Sequence, residues 1–262
     1  MLPRKYVFPH VIEMNVQAGE RLGVNVYLID GGSEWLLIDV GFKDTADEIL
    51  DLIRKMDFRF SACKMIIATH ADADHIQGLA RVREALKTKV AAHPLSVEAI
   101  ESGDGILTYA TIKAQNIDMP MYPCKVDEHL NEGDIISLGK LRLHVWHTPG
   151  HTPGHLSFKL NDLLFCGDAI YKDSSVGVID AHHGSNIKQF LATLQRIKAD
   201  DSAYLLPSHG PIFRRDNRII QQAIERLTTY LRLSDFGTCA EDSPIFEEWD
   251  AAIEAGGLSQ RS

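Results

Sequence analysis

At 262 residues, with 45% hydrophobic and 24% charged residues, the chain has the size and balance of a single globular domain over 1–262, with no room for an added flavin or large recognition domain. Its formal charge of −9 argues against nucleic acid as the main partner. No apolar run is long enough to span a bilayer, and Met1 to Val7 lack the apolar core of a signal peptide; no membrane association and a cytoplasmic location are expected.

Val11–Met14, Val24–Ile29 and Glu34–Asp39 read as a sheet meander, with Gly31-Gly32 turning the last pair. Asp39-Val40-Gly41 closes the unit. A helix follows from about Thr45 to Met56, with Ala46, Ile49, Leu50 and Ile53 as its apolar stripe and Arg54-Lys55 in its last turn. The apolar run Met65-Ile66-Ile67-Ala68 then delivers Thr69-His70-Ala71-Asp72-Ala73-Asp74-His75. A strand ending in a tight turn points short side chains into one space, and imidazole with carboxylate is the donor set of a zinc, manganese or iron site. The bland reading is a polar loop in which Asp72 or Asp74 caps a helix. Ile76 to Leu86 reads as that helix, with Ile76, Leu79, Val82 and Leu86 on one face.

Lys89–Ala92 is a further strand, followed by a short helix near Leu95 to Ile100. Gly103 to Pro123 has no clear period. From Lys125 a second β region begins, and the strand-then-ligand grammar recurs three times. Leu141–Trp146 leads into His147-Thr148-Pro149-Gly150-His151-Thr152-Pro153-Gly154-His155, Leu163–Cys166 into Gly167-Asp168, and Ala203–Leu206 into Pro207-Ser208-His209. Amphipathic helices span Ser185 to Ala199 and Asp216 to about Leu233. Four cysteines, Cys63, Cys124, Cys166 and Cys239, lack metal spacing and read as free thiols, Cys166 as a buried one.

In order, and over nearly the whole chain, these motifs resemble the metallo-β-lactamase-fold hydrolase superfamily. Its first signature is His-x-His-x-Asp-His, followed by an isolated His, a bridging Asp and a last His. The resemblance implies an α/β chain (α+β by layer class) folded as a four-layer αββα sandwich, with two divalent metal ions, zinc first, at one edge of the two sheets. The order of β-rich and helical segments suggests the same layers. Carried over by residue, the resemblance implies His70, Asp74, His75, His151 and His209 as ligands and Asp168 as the bridge. Inserts such as Gly103–Pro123 often wall the pocket in this fold; a surface loop packing its own aromatics is the alternative.

Asp72 departs from the pattern, standing where the family has its second histidine. It can ligate the first metal directly, bind through water, or be structural and leave a single metal. The flavodiiron branch of the fold carries a glutamate there. Two divalent ions carry four positive charges; Asp74 and Asp168 leave +2, and Asp72 leaves +1, which favours iron or manganese more than a histidine-richer set does. Tyr171, three residues after Asp168, resembles the tyrosine of acyl-homoserine lactonases, whose phenol assists the oxyanion or leaving group; a core tyrosine is the alternative. His182-His183 precede Gly184-Ser185 at a pocket mouth or a plain loop, with His182 the candidate for substrate contact. His147 and His155 are expected to brace the His151 turn.

The expected activity is a dinuclear metal-dependent hydrolase. A metal-bridging hydroxide attacks an ester-type carbonyl, Asp74 orients the water or shuttles its proton, and Tyr171 donates to the oxyanion or departing oxygen. The expected partner is a small-molecule substrate. A lactone or other ester ranks first, because of Tyr171. A thioester of the glyoxalase-II type ranks second, since no added helical domain with basic residues for glutathione is evident. A flavodiiron-like redox protein working with a separate flavoprotein is the alternative of another class.

Overall fold

The computed structural model describes residues 2–16 and 23–233, together with 251 and 254. The first half of the chain runs β1 (Val11–Val16), β2 (Val24–Asp30), β3 (Trp35–Ile38), α1 (Lys43–Lys55), β4 (Cys63–Ile67), α2 (Ala73–Ile76), α3 (Leu79–Leu86), β5 (Lys89–Ala92) and α4 (Val97–Ser102). A small hairpin, β6 (Thr111–Ile112) and β7 (Ile117–Asp118), and β8 (Glu128–His129) complete it. The second half runs β9 (Ile135–Leu138), β10 (Leu141–His147), β11 (Leu156–Leu160), β12 (Leu163–Gly167), α5 (Ile187–Ala199), β13 (Tyr204–Pro207), β14 (Phe213–Arg214) and α6 (Asn217–Leu231).

Two six-stranded sheets result, ordered β1-β2-β3-β4-β5-β8 and β14-β13-β12-β11-β10-β9. Residues of β2 and β3 are buried along their whole length, because this sheet is covered on both faces, which is why these strands read as continuous apolar runs. Tyr27, Ile29, Leu36, Ile38 and Ile67 of one sheet pack on Leu143, Val145, Phe158, Phe165 and Leu206 of the other. On the outer side of the first sheet, Ile49 and Ile53 of α1 and Val82 and Leu86 of α3 meet Val26, Leu28 and Leu37. On the outer side of the second, Phe190 and Leu194 of α5 and Ile220 and Leu227 of α6 cover Leu164 and Leu205. The layers are therefore α, β, β, α, as expected.

Two local readings change. The helix expected over Ile76–Leu86 is divided into α2 and α3. Gly78 stands between them because its Cα lies against backbone: an added Cβ would be 3.0 Å from the Phe42 carbonyl oxygen, and its N–H donates to the Gly41 carbonyl at 3.0 Å. The aperiodic stretch Gly103–Pro123 contains the β6–β7 hairpin.

Strand direction gathers the site. β3, β4 and β5 run parallel, so the turns after β3 and β4, which carry Asp39 and His70, open at one edge. In the second sheet β10 and β12 are both antiparallel to β11, and β13 is parallel to β12. The turns bearing His151, Asp168 and His209 thus share an edge as well. The sheets are tied together there: the Leu156 N–H donates to the Thr69 carbonyl at 2.8 Å and the Asn25 N–H to the Ser208 carbonyl at 2.8 Å. Among the described residues no helix is long and apolar enough to cross a membrane.

Candidate metal centre

Asp72 stands at the N-cap position of α2 yet makes no side-chain cap hydrogen bond, so the capping reading does not account for it. Its Oδ2 lies 3.1 Å from His151 Nε2 and 3.7 Å from His70 Nε2. Asp74 Oδ2 lies 3.2 Å from His209 Nε2 and 3.5 Å from His75 Nε2. The structure therefore brings the candidate residues into two adjoining groups, His70–Asp72–His151 and Asp74–His75–His209. Asp168 lies between them: its carboxylate is 3.5 Å from His209 Nε2, 3.7 Å from His75 Nε2 and 3.7 Å from His151 Nε2.

Each imidazole is held from behind, which sets its tautomer and leaves Nε2 pointing inward. His75 Nδ1 donates to Asp39 Oδ2 at 3.0 Å. His70 Nδ1 donates to Thr69 Oγ1 at 2.9 Å, and that hydroxyl donates to the same Asp39 oxygen at 2.8 Å. His151 Nδ1 donates to the Val178 carbonyl at 2.8 Å, and His209 Nδ1 to the Gly23 carbonyl at 2.9 Å. The turn carrying His209 is pinned from β2, where the Tyr27 hydroxyl donates to the Pro207 carbonyl at 2.7 Å and the Asn25 amide to the Gly210 carbonyl at 2.7 Å. His155 accepts from the Asp168 backbone N–H at 3.0 Å through Nε2. It is buried and kept neutral by that burial and by His70 and His151. Gly167 is required beside it: at φ +53 its Cβ would stand 2.5 Å from His155 Nε2.

A metal pair fits this arrangement. Four buried or half-buried imidazole nitrogens and three carboxylates converge, and two of their buried atoms, His75 Nε2 and Asp168 Oδ1, have no hydrogen-bond partner among the described residues. A buried unpaired polar atom is costly, and the nitrogen–oxygen donor set suits zinc, iron or manganese. Cys166 is buried, with its thiol directed at the Ile170 carbonyl at 3.6 Å; burial pushes that thiol up. Cys63 and Cys124 are likewise free, and Cys239 lies outside the described residues.

Tyr171 sits beside Asp168, with its ring centroid 5.7 Å from that of His209. Burial first, then the charge and hydrogen bond of Asp168, push the phenol well above its ordinary value, so it is a neutral donor. With His209, Lys172, Ser175 and Gly210 it lines a cleft of about 540 Å³. His182 is placed otherwise: its side chain is 86% exposed and its Nδ1 lies 3.4 Å from Asp180. The neighbouring His183 turns inward and reaches Asp72. Asp39 and His183 are the residues sequence reasoning did not assign; Asp39-Val40-Gly41 and the His182-His183 pair were the available signals.

The protonation of the cluster yields a pH prediction. Burial by itself lowers His151, but Asp72 and Asp168 outweigh it and raise its pKa from 6.5 to about 9. Asp168 and Asp74 likewise raise His209 to about 10 against its burial. A raised pKa contributes stability that is fully present below about 6.5 and is lost as pH rises through about 9 to 10. Asp72 and Asp168, lowered well below 3.8 by the histidines despite burial, contribute stability above that value and lose it as pH falls. Chelator-treated protein should therefore lose roughly 5 °C or more of Tm between pH 6.5 and pH 10. Protein loaded with divalent metal should not, since ions replace the protons. A thermal melt series reads this directly; equal slopes in both forms would show that the cluster does not hold these protons.

The family model for the metallo-beta-lactamase superfamily matches residues 19–209. A Gallus gallus protein named acyl-coenzyme A thioesterase MBLAC2 is 28% identical over 198 residues, covering 69% of this chain and 68% of its own length. A hydroxyacylglutathione hydrolase of Xylella fastidiosa strain M12 is 36% identical over 134 residues, covering 51% of this chain; the match spans only 41% of that relative's length. The crystal structure of TTHA1623 in a di-iron-bound form aligns with a TM-score of 0.65 at 28% identity, covering 81% of this chain and 98% of that one. On the family match and the four-layer fold, the chain belongs to the metallo-beta-lactamase superfamily of metal-dependent hydrolases.

Proposed function

We propose that the chain hydrolyses a small-molecule thioester at a dinuclear metal centre. The observation that carries this is that two separate relatives, an acyl-coenzyme A thioesterase and a hydroxyacylglutathione hydrolase, both take an acyl group from a thiol carrier. Thioester thereby moves ahead of lactone, which rested on Tyr171; a phenol beside the centre serves either carbonyl.

His70, Asp72 and His151 would hold one ion, Asp74, His75 and His209 the other, with Asp168 between. Bound there, two divalent ions polarise a carbonyl and lower the pKa of water. Zinc is the first choice, and the di-iron relative together with Asp72 keeps iron in view. Asp74, half-buried with Oδ2 3.2 Å from His209 Nε2, would orient the attacking water or shuttle its proton. Tyr171 Oη–H donates to the carbonyl oxygen as charge develops there. The departing thiol, with an ordinary pKa near 8.5, leaves without a strong acid behind it, so the phenol is reserved for the oxyanion. Cys63, Cys124 and Cys166, free among the described residues, suit a reducing compartment.

Metal-loaded protein should be assayed on an acyl-coenzyme A, a hydroxyacyl-glutathione, a lactone and an aryl ester. A thioester should give the highest kcat/KM, by about tenfold or more over the best lactone, a difference of roughly 1.4 kcal/mol in barrier. A lactone ahead by that margin would restore the Tyr171-based ranking. Dioxygen uptake with a reductant and a flavoprotein, but no hydrolysis, would support the flavodiiron-like reading instead.

A further inference from the structure

Asp72 divides its carboxylate between two tasks. Oδ2 faces the site, 3.1 Å from His151 Nε2 and 3.7 Å from His70 Nε2. Oδ1 faces away from them and accepts from His183 Nε2 at 2.7 Å. His183 belongs to none of the ligand groups formed by the described residues; its Nε2 is committed to Asp72. We propose that His183 is the positioning residue that fixes Asp72 as a one-oxygen ligand, and so sets the affinity of the metal cradle made by His70, Asp72 and His151. The proposal rests on reading Asp72 as a ligand of that centre.

The surroundings of His183 are built to hold it still. Ala181–His183 is a single 3-10 turn closed by Gly184 at φ +89, and Asp180 Oδ1 caps it by accepting from the His182 N–H at 2.9 Å. Next along the chain, Ser185 Oγ donates to the His151 carbonyl at 2.6 Å and the Asn186 N–H to the Gly150 carbonyl at 2.9 Å, so the turn is fastened to the loop that carries His151. Tyr109 of the 103–123 insert packs its ring on His183, centroids 4.6 Å apart, and its hydroxyl donates to Asp180 Oδ2 at 3.4 Å. One residue earlier, the Thr108 carbonyl accepts from the Ala73 N–H at 2.8 Å, inside the motif itself. The insert thus grips both the backbone beside Asp72 and the ring that holds its side chain.

The physical reason for such a brace lies in the substitution at this position. A histidine ligand has one inward nitrogen once its other nitrogen is bonded. An aspartate has two equivalent oxygens and a short stem, and unbraced it can rotate, chelate or swing out. A donor on Oδ1 removes that freedom and leaves one oxygen for the ion. Supporting hydrogen bonds of this kind are worth about 10- to 100-fold in metal affinity.

The test uses the full chain, stripped with chelator and titrated with cobalt(II) alone, followed by calorimetry and the visible ligand-field spectrum. His183→Phe keeps a ring on Tyr109 and removes the donor. It should weaken one of two binding steps by about 10- to 100-fold, alter the spectrum of that ion and leave the other step unchanged. His183→Gln, which keeps an N–H donor, should recover most of the loss. Asp72→Asn should weaken the same step. Unchanged binding in His183→Phe, or equal loss in both steps, would overturn the positioning role while leaving the metal centre intact. A weakened step in His183→Phe with none in Asp72→Asn would show that His183 does not act through Asp72. Fewer than two ions in the wild-type chain would remove the dinuclear reading, and the proposal with it.

Discussion

Asp168→Asn should lower kcat/KM on the best substrate by at least about a thousandfold, the loss of roughly 4 kcal/mol of transition-state stabilisation. The substitution keeps the shape of the side chain and removes the charge. Asp168 is buried and lies within 3.7 Å of His75, His151 and His209, so among the described residues it is the carboxylate placed to serve both candidate groups. An amide nitrogen placed among those imidazoles would be a donor facing donors or cations. Metal content, measured by elemental analysis, should fall below two ions per chain. The metal-free variant offers a second readout: Asp168 is the main cause of the raised His209 pKa of about 10, so this ring should titrate closer to 6.5 by NMR. A variant that retains two ions and activity within tenfold of wild type would rule out a bridging role.

Tyr171→Phe should reduce kcat by about ten- to a thousandfold, the range for removing one oxyanion donor, while leaving metal content unchanged. The ring stays, so its contact with His209 and the wall of the cleft survive. Thioester chemistry sharpens the expectation. If the phenol serves the oxyanion, the loss should be nearly the same for thioesters whose leaving thiols differ in pKa. If it serves the leaving group, the loss should grow as the thiol becomes more basic. Wild-type kcat in the variant would make Tyr171 a packing residue and would remove the one specific argument for a lactone substrate.

The sandwich and the edge where its site lies were legible in the chain because both depend on short-range pattern. Apolar runs such as Met65–Ala68 and Leu163–Cys166 are strands because they are covered on both faces. His70, Asp74, His75, Asp168 and His209 stand in the turns that follow strand ends, where a candidate ligand is visible without knowing its partners. Asp72 and Asp74 could be named on the same ground, but not told from helix caps; only the side-chain directions showed that Asp72 caps nothing.

What the tertiary structure alone decided are the contacts across long separations. Asp39 orients His75 and, through Thr69, His70, from 30 residues or more away, and nothing in Asp39-Val40-Gly41 announces that reach, because it depends on the parallel register of β3 against β4. Tyr27 and Asn25 hold the His209 turn from the opposite sheet, a consequence of how the two sheets face each other. His182 and His183 are indistinguishable as letters. In a tight turn adjacent side chains leave in different directions, and the cap by Asp180 and the ring of Tyr109 sent His183 inward to Asp72 and left His182 in water. Local pattern names the donors; the packing of distant strands and loops chooses which atoms of those donors meet.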